Sequence, residues 1–366
     1  MLLLIDYLKR FFRLDRAILK YHSQTSDLNK MVEKNAKIYF DENANLTLLK
    51  ERAVAIIGYG NQGRAWALNL RDSGVKVVVG NIKDKYRELA ESEGFEVHDI
   101  GEASKIGDIV CLLLPDVVQP KVYESEIKEC LEQGDALVFA HGFAIHYDQI
   151  RPPNYVDVLL VAPRMIGVGV RSLYVKGKGA PALMGVGQDA TGNAKEVVLA
   201  LCKALGFTKA GVVESSFKEE TELDLFSEQA VWPGINGILM KAYEILVSKG
   251  YSPEAVTLEL LASGEIIEVA KQIVSMGLTK QLGLHSTTSQ YGQLSRMQRF
   301  VDRDYVKSMI KSLREIQNGH FAKEWLIEQM LGYPVFNKLV DEAMRHPINE
   351  AHERIKNLMR IDYDIY

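Results

Sequence analysis

One glycine-rich turn constrains this chain more than any other feature. The stretch AVAIIGYGNQGRAWALNL places Gly58, Gly60 and Gly63 in GxGxxG spacing, directly after an apolar strand-like run and at the start of a helix-like one. In that context each glycine has a job. Gly58 permits the tight turn, Gly60 lets a pyrophosphate approach the backbone, and Gly63 lets helix and strand pack closely. The helix N-terminus then faces the phosphates. The turn therefore predicts an α/β sheet with a dinucleotide at one edge, and makes Gly58, Tyr59, Gly60, Asn61, Gln62 and Gly63 candidate cofactor-binding positions.

The rest of the chain divides by texture. Apolar runs at 53–57, 75–79, 109–114, 136–140, 156–161, 182–186 and 210–213 alternate with helical or turn-forming stretches. Strands apolar on both faces suit a parallel sheet covered by helices. After about residue 216 the strands stop, and 221–229, 235–249, 253–276 and 305–318 read as helices. The expected organisation is an N-terminal amphipathic extension (1–36), an NAD(P)-binding α/β Rossmann domain (37–216) and an all-α C-terminal domain (217–366). The extension carries Leu4, Leu8, Phe11, Ile18 and Tyr21 at helical spacing among Lys9, Arg10, Arg13, Arg16 and Lys20. Membrane-surface contact, packing on the protein, an oligomer contact and a misplaced start codon are all open readings of it.

Composition narrows the partners. Lys and Arg total 44 against 48 Asp and Glu, a net charge of -4, which argues against nucleic acid. The odd, scattered set of Cys111, Cys130 and Cys202 suits a reducing, cytoplasmic compartment, with all three as small buried hydrophobes. No apolar run reaches the roughly 18 residues of a membrane span, and the charged N-terminus is not a signal peptide.

Three further stretches carry chemistry. The second strand ends at Val79-Gly80-Asn81, where the acid expected for a ribose 2′-hydroxyl is missing. Beyond it, Lys83, Lys85 and Arg87 suit the 2′-phosphate of NADPH, Asp84 suits the free hydroxyl of NADH, and a solvated helix start is the plain alternative; the cations favour NADPH. In FKEETELDLFSEQA, Asp224 and Glu228 stand four apart on one helix face. By composition alone a solvated acidic face is the plainer reading; the interleaved Leu223, Leu225, Phe226, Ala230 and Val231 point instead to a buried edge, where an acid pair needs a cation such as Mg2+. His141, in AHGFAIHY, falls just past the fourth strand, where open α/β sheets hold ligands. It is placed to move a proton or bind a substrate oxygen, with a purely structural histidine as the alternative.

Taken together, GYGNQG…ALNLRDSG, LLLPD, AHGFAIHY, GQDATGNAK, FKEETELDLFSEQAV, EIQNGHFAKEW and PVFNKL resemble the shorter form of ketol-acid reductoisomerase, from about Ile38 to Met359. The resemblance implies a Rossmann domain followed by a knotted helical domain that makes a homodimer or higher oligomer, with site residues shared across it. It also implies Mg2+-dependent alkyl migration in a small 2-hydroxy-3-oxo acid of the 2-acetolactate type, then reduction by NADPH or NADH. Asp224, Glu228 and Glu259 would be metal ligands, Pro115 and Asp116 of LLLPD would border the cofactor, His141 would lie between cofactor and substrate, and Ser286 would bind the substrate carboxylate. Two departures stand out. The family's APKGPG is APRMIG here, so Arg164 replaces an active-site lysine. In LELLASGEIIEV, Glu259 matches the first glutamate of a pair but Ser263 stands at the second, with Glu265 nearby as a substitute. Pro233 for a usual cysteine reads as packing. These departures keep two other readings open: a 2-oxo acid reductase without migration, in which Arg164 clamps a carboxylate, and a catalytically silent nucleotide-binding subunit.

Overall fold

The computed structural model describes residues 36–359, so the N-terminal extension lies outside the described residues except for its last position. Among the described residues nine strands form one sheet: β1 (Ile38–Tyr39), β2 (Ala53–Ile57), β3 (Lys76–Gly80), β4 (Glu96–His98), β5 (Ile109–Leu112), β6 (Ala136–Phe139), β7 (Asp157–Pro163), β8 (Ala182–Gln188) and β9 (Val212–Glu214). Their spatial order is β1-β9-β8-β7-β6-β5-β2-β3-β4. The run β4-β3-β2-β5-β6-β7 is parallel throughout and has the doubly wound order in which the chain reverses direction beside β2.

The strand runs are continuously apolar because both faces are covered. Val54, Ile56, Val138, Leu159 and Val161 join one core with Trp66 and Phe207. Their neighbours Ala55, Ile57, Leu137, Phe139 and Leu160 join a second core on the opposite face. The period-2 alternation is thus present, but it sorts apolar residues between two cores instead of sorting apolar from polar.

Several expectations need correction. The sheet is mixed: β8 runs antiparallel to β7, and β1 antiparallel to β9. β8 reverses because the chain after Pro163 turns back through the Gly167–Val175 helix and re-enters at the same end, pairing Pro163 with Ala182. Strands β1 and β4, of two and three residues, carry too little pattern to be read. The helix expected over 253–276 is broken: Pro253–Thr257 passes into a wide π turn at Leu258–Ala262, and Gly264 adopts φ +77 before Glu265–Met276 begins. A left-handed residue cannot continue a helix, and glycine takes that conformation without a Cβ clash. Cys111 and Cys202 are buried, but Cys130 is only half-buried. No described helix is long and apolar enough to cross a membrane.

Candidate active site

The glycine turn behaves as its spacing requires. Gly58 has φ +93 and caps the end of β2. A Cβ on Gly63 would lie 1.9 Å from the Gly58 carbonyl oxygen, so helix and turn touch only because position 63 is bare. A Cβ on Gly60 would meet no atom within 4 Å, which leaves that backbone open to a ligand. A cleft of about 700 Å³ runs past Gly58, Gly60, Asn61, Asp84 and Pro115. Gln62 also borders it and donates from Nε2 to the Met165 carbonyl, tying the turn to the end of β7. Tyr59 contributes backbone only: its ring is buried and its hydroxyl donates to Glu93 Oε2 at 2.7 Å.

Asn81 braces the end of this cleft beyond β3, a role that its sequence did not announce. Its Oδ1 accepts from the Tyr59 amide at 3.0 Å and its Nδ2 donates to Asp84 Oδ1 at 2.8 Å. The same Asp84 oxygen accepts from the Tyr86 and Arg87 amides, capping the Lys85–Ser92 helix. No hydrogen bond among the described residues engages Asp84 Oδ2. Of the expected phosphate ligands, Lys83 and Lys85 are exposed and do not line the cleft, and Arg87 is committed to the Asn81 carbonyl and Asp99.

The acids meet the sheet where the cleft ends. Ser216 caps the Phe217–Phe226 helix by accepting from the Glu219 amide, which sets the helix against the end of β6. On it, Glu220 is fully buried, and its Oε2 accepts from the Gly142 amide at 2.8 Å. His141 joins Glu220 and Asp224 in a group whose ligand atoms lie within 4.8 Å of one another. His141 Nδ1 lies 2.8 Å from Asp116 Oδ2, and Nε2 lies 3.6 Å from Asp224 Oδ2. Burial pulls the imidazole pKa down, but the Asp116 hydrogen bond and the charges of Asp116, Glu220 and Asp224 outweigh it, and the pKa is pushed up to about 9. Its Nε2 is buried and has no hydrogen-bond partner among the described residues. Asp116 therefore serves His141, while its neighbour Pro115 lines the cofactor cleft.

Arg164 crosses this group. Its Nη1 donates to Asp224 Oδ1 at 2.8 Å and its Nη2 to Glu220 Oε1 at 2.7 Å. With both terminal nitrogens engaged by acids, Arg164 is not a free carboxylate clamp. Glu220, which the sequence reading passed over, is the hinge of the arrangement; its position one turn before Asp224 was the available signal. Glu228 sits one turn after Asp224 at the more exposed rim, inside a π turn at Ser227–Val231. Partial burial, then repulsion from Asp224, raises its pKa above the ordinary carboxylate range.

The donor set fits a hard divalent cation. The Asp224 and Glu228 carboxylates repel each other near the unsatisfied His141 Nε2, and one or two carboxylates completed by water and substrate oxygens are what Mg2+ prefers. Glu220 is not a free ligand, because both its oxygens are engaged. The remaining candidates stand apart from this group: Glu259 is exposed on the Leu258–Ala262 turn, and Ser286 is exposed as the N-cap of the Thr287–Phe300 helix, its hydroxyl accepting from the Ser289 amide.

Comparison with known proteins agrees with this geometry. Residues 48–211 match the family described as acetohydroxy acid isomeroreductase, NADPH-binding domain, and residues 217–361 match ketol-acid reductoisomerase, C-terminal domain. The chain is 45% identical over 324 residues to the ketol-acid reductoisomerase (NADP(+)) of Petrotoga mobilis, covering 88% of this chain and 97% of that one. It is 45% identical over 326 residues to the Methanopyrus kandleri enzyme of the same name, covering 88% and 98%. Among solved structures, an NADH-preferring ketol-acid reductoisomerase from an uncultured archaeon superposes with a TM-score of 0.85 at 36% identity, covering 89% of this chain and 100% of that one. A nucleotide cleft that ends on a histidine–carboxylate group, together with these matches over most of its length, shows that the chain belongs to the ketol-acid reductoisomerase family.

Proposed function

We propose that this chain is an NAD(P)H-dependent oxidoreductase that converts a 2-acetolactate-type acid to a 2,3-dihydroxy acid, with Mg2+ held by Asp224 and Glu228. The observation that carries the reading is the convergence of Asp224, Glu220 and His141 beyond the end of β6, beside the dinucleotide cleft. When bound, the cation supplies Lewis-acid polarisation of the substrate's hydroxyl and carbonyl oxygens. The protein supplies the rest. Arg164 and the Gly142 amide fix Glu220, and Arg164 also fixes Asp224 Oδ1, so the acids are oriented before substrate arrives. Asp116 holds His141 Nδ1, which leaves the buried Nε2 to give a proton to, or take one from, a substrate oxygen. The glycine turn would hold the pyrophosphate, and Pro115 lines the stretch of cleft between that turn and this group.

Two features support a homodimer. The Thr287–Phe300 helix has no buried residue, and its Tyr291, Leu294 and Phe300 are 69%, 55% and 65% exposed, an apolar face that water alone does not favour. Glu259 and Ser286, apart from the group within one chain, would complete the site from a partner subunit. The unpaired, buried Cys111 and Cys202 suit a reducing cytoplasm.

The test is direct. With 2-acetolactate and Mg2+, the enzyme is expected to oxidise NADPH or NADH. Reduction of 3-hydroxy-3-methyl-2-oxobutanoate with none of 2-acetolactate would overturn the migration step. Cofactor choice has its own test. Asp84 stands where a ribose 2′-substituent would lie, so its charge opposes a phosphate there. Asp84→Ser keeps an N-cap and removes that charge, and is expected to raise the NADPH-over-NADH ratio of kcat/KM roughly fivefold, the equivalent of about 1 kcal/mol. An unchanged ratio would show that Asp84 does not face the ribose.

A further inference from the structure

We propose that Arg164 is a built-in cation of the acid group, one that shares Asp224 with the divalent ion and thereby weakens metal binding while holding Asp224 in position. The inference rests on the metal reading above and goes beyond it by assigning Arg164 a role opposed to metal affinity.

Three contacts fix the guanidinium: Nη1 on Asp224 Oδ1, Nη2 on Glu220 Oε1, and Nε near the Ala162 carbonyl at 3.4 Å. Glu220 has no exposed surface and its second oxygen is taken by the Gly142 amide. A buried carboxylate of that kind requires a counter-charge, and Arg164 is the cation ion-paired to it, with the His141 ring also near. Departure of the guanidinium would strip Glu220 of its ion pair and leave the nearby His141 ring alone to offset that charge. The guanidinium therefore stays when a divalent ion arrives. Asp224 then offers the ion only Oδ2, and the ion binds beside a fixed positive charge one carboxylate away. Both effects lower affinity. The same contacts aim Oδ2 toward His141 Nε2, which makes Arg164 a positioning residue.

The test is Mn2+ binding to the full-length protein, followed by the loss of free-ion electron paramagnetic resonance signal, with thermal melting in parallel. Arg164→Gln is expected to bind Mn2+ at least about tenfold more tightly than the native protein, as removing one adjacent like charge shifts a neighbouring ionic equilibrium by a factor of ten or more. It is also expected to melt at lower temperature without metal and to regain most of that loss with Mn2+ in excess. Arg164→Lys keeps the charge and should bind Mn2+ within about threefold of native. If Arg164→Gln does not fold, the double substitution Glu220→Gln with Arg164→Gln removes both members of the buried pair and frees Asp224 Oδ1, with the same expected gain. Unchanged or weaker Mn2+ binding in the folded neutral variant overturns the proposal. A native protein that takes up no Mn2+ overturns the metal reading itself, which separates the two failures.

Discussion

Replacing Asp224 with asparagine is expected to slow turnover of 2-acetolactate by about a thousandfold, the equivalent of roughly 4 kcal/mol of lost transition-state stabilisation by a bound cation. Asparagine keeps the shape and removes the charge that both the cation and Arg164 address. The fold should survive. Arg164 retains Glu220, so no buried charge is stranded, and the Asp224 side chain is 32% exposed. Loss of that partly exposed pair is worth at most about 1 kcal/mol, or a melting shift of about 2 °C. Steady-state oxidation of the reduced nicotinamide measures the first quantity and calorimetry the second. A variant that keeps more than about a tenth of the native rate at saturating Mg2+ would remove Asp224 from the metal site. Dinucleotide binding should be unaltered, because Asp224 does not line that cleft.

The contrast between Asp224 and Glu220 shows what a sequence can reveal about such a site. Asp224 and Glu228 stand out because two acids at i, i+4 among apolar neighbours are unusual. Glu220 has the same spacing on the other side, yet lies in an acidic stretch, FKEETELD, that reads as surface. Only the fold shows that one of those acids is fully buried on the Gly142 amide. The central strands were legible because both faces are covered and their apolar runs are unbroken. The two-residue β1 and the charged, three-residue β4 carry no period to detect, and the reversal of β8 depends on where its connection packs. Asn81 was read as a missing acid, whereas its amide bridges the glycine turn to Asp84 by donating and accepting at once. A bond that requires both polarities is not visible in a motif defined by charge.

A single methyl group at position 63 is expected to have a larger structural effect than any other small substitution in the cofactor turn. In Gly63→Ala the new carbon would sit 1.9 Å from the Gly58 oxygen and 2.9 Å from the Gly58 carbonyl carbon, both backbone atoms. The Asn61–Asp72 helix must then move away from β2, opening the core around Trp66 and Ile56. Such overpacking against backbone costs roughly 3 kcal/mol or more, and the displaced helix N-terminus no longer faces the pyrophosphate. Gly60→Ala is the control. It meets no protein atom and should melt like the native protein, yet its methyl occupies the approach to the phosphates. Its Kd for NADPH should rise about tenfold, comparable to one lost charge-assisted hydrogen bond of about 1.5 kcal/mol. Melting curves and cofactor fluorescence together separate the two variants. Equal melting temperatures would mean that the close approach at position 63 is not required.

The buried bond between the Gly142 amide and Glu220 has a consequence for how motion elsewhere reaches the site. It bolts the acid-bearing helix to the tip of β6, so the charges and the platform that carries the cofactor travel as one body. Electrostatic organisation of the reacting groups is then settled during folding rather than renewed at each turnover. Motion of the outer helices is therefore expected to leave the spacing between Glu220 and the end of β6 unchanged.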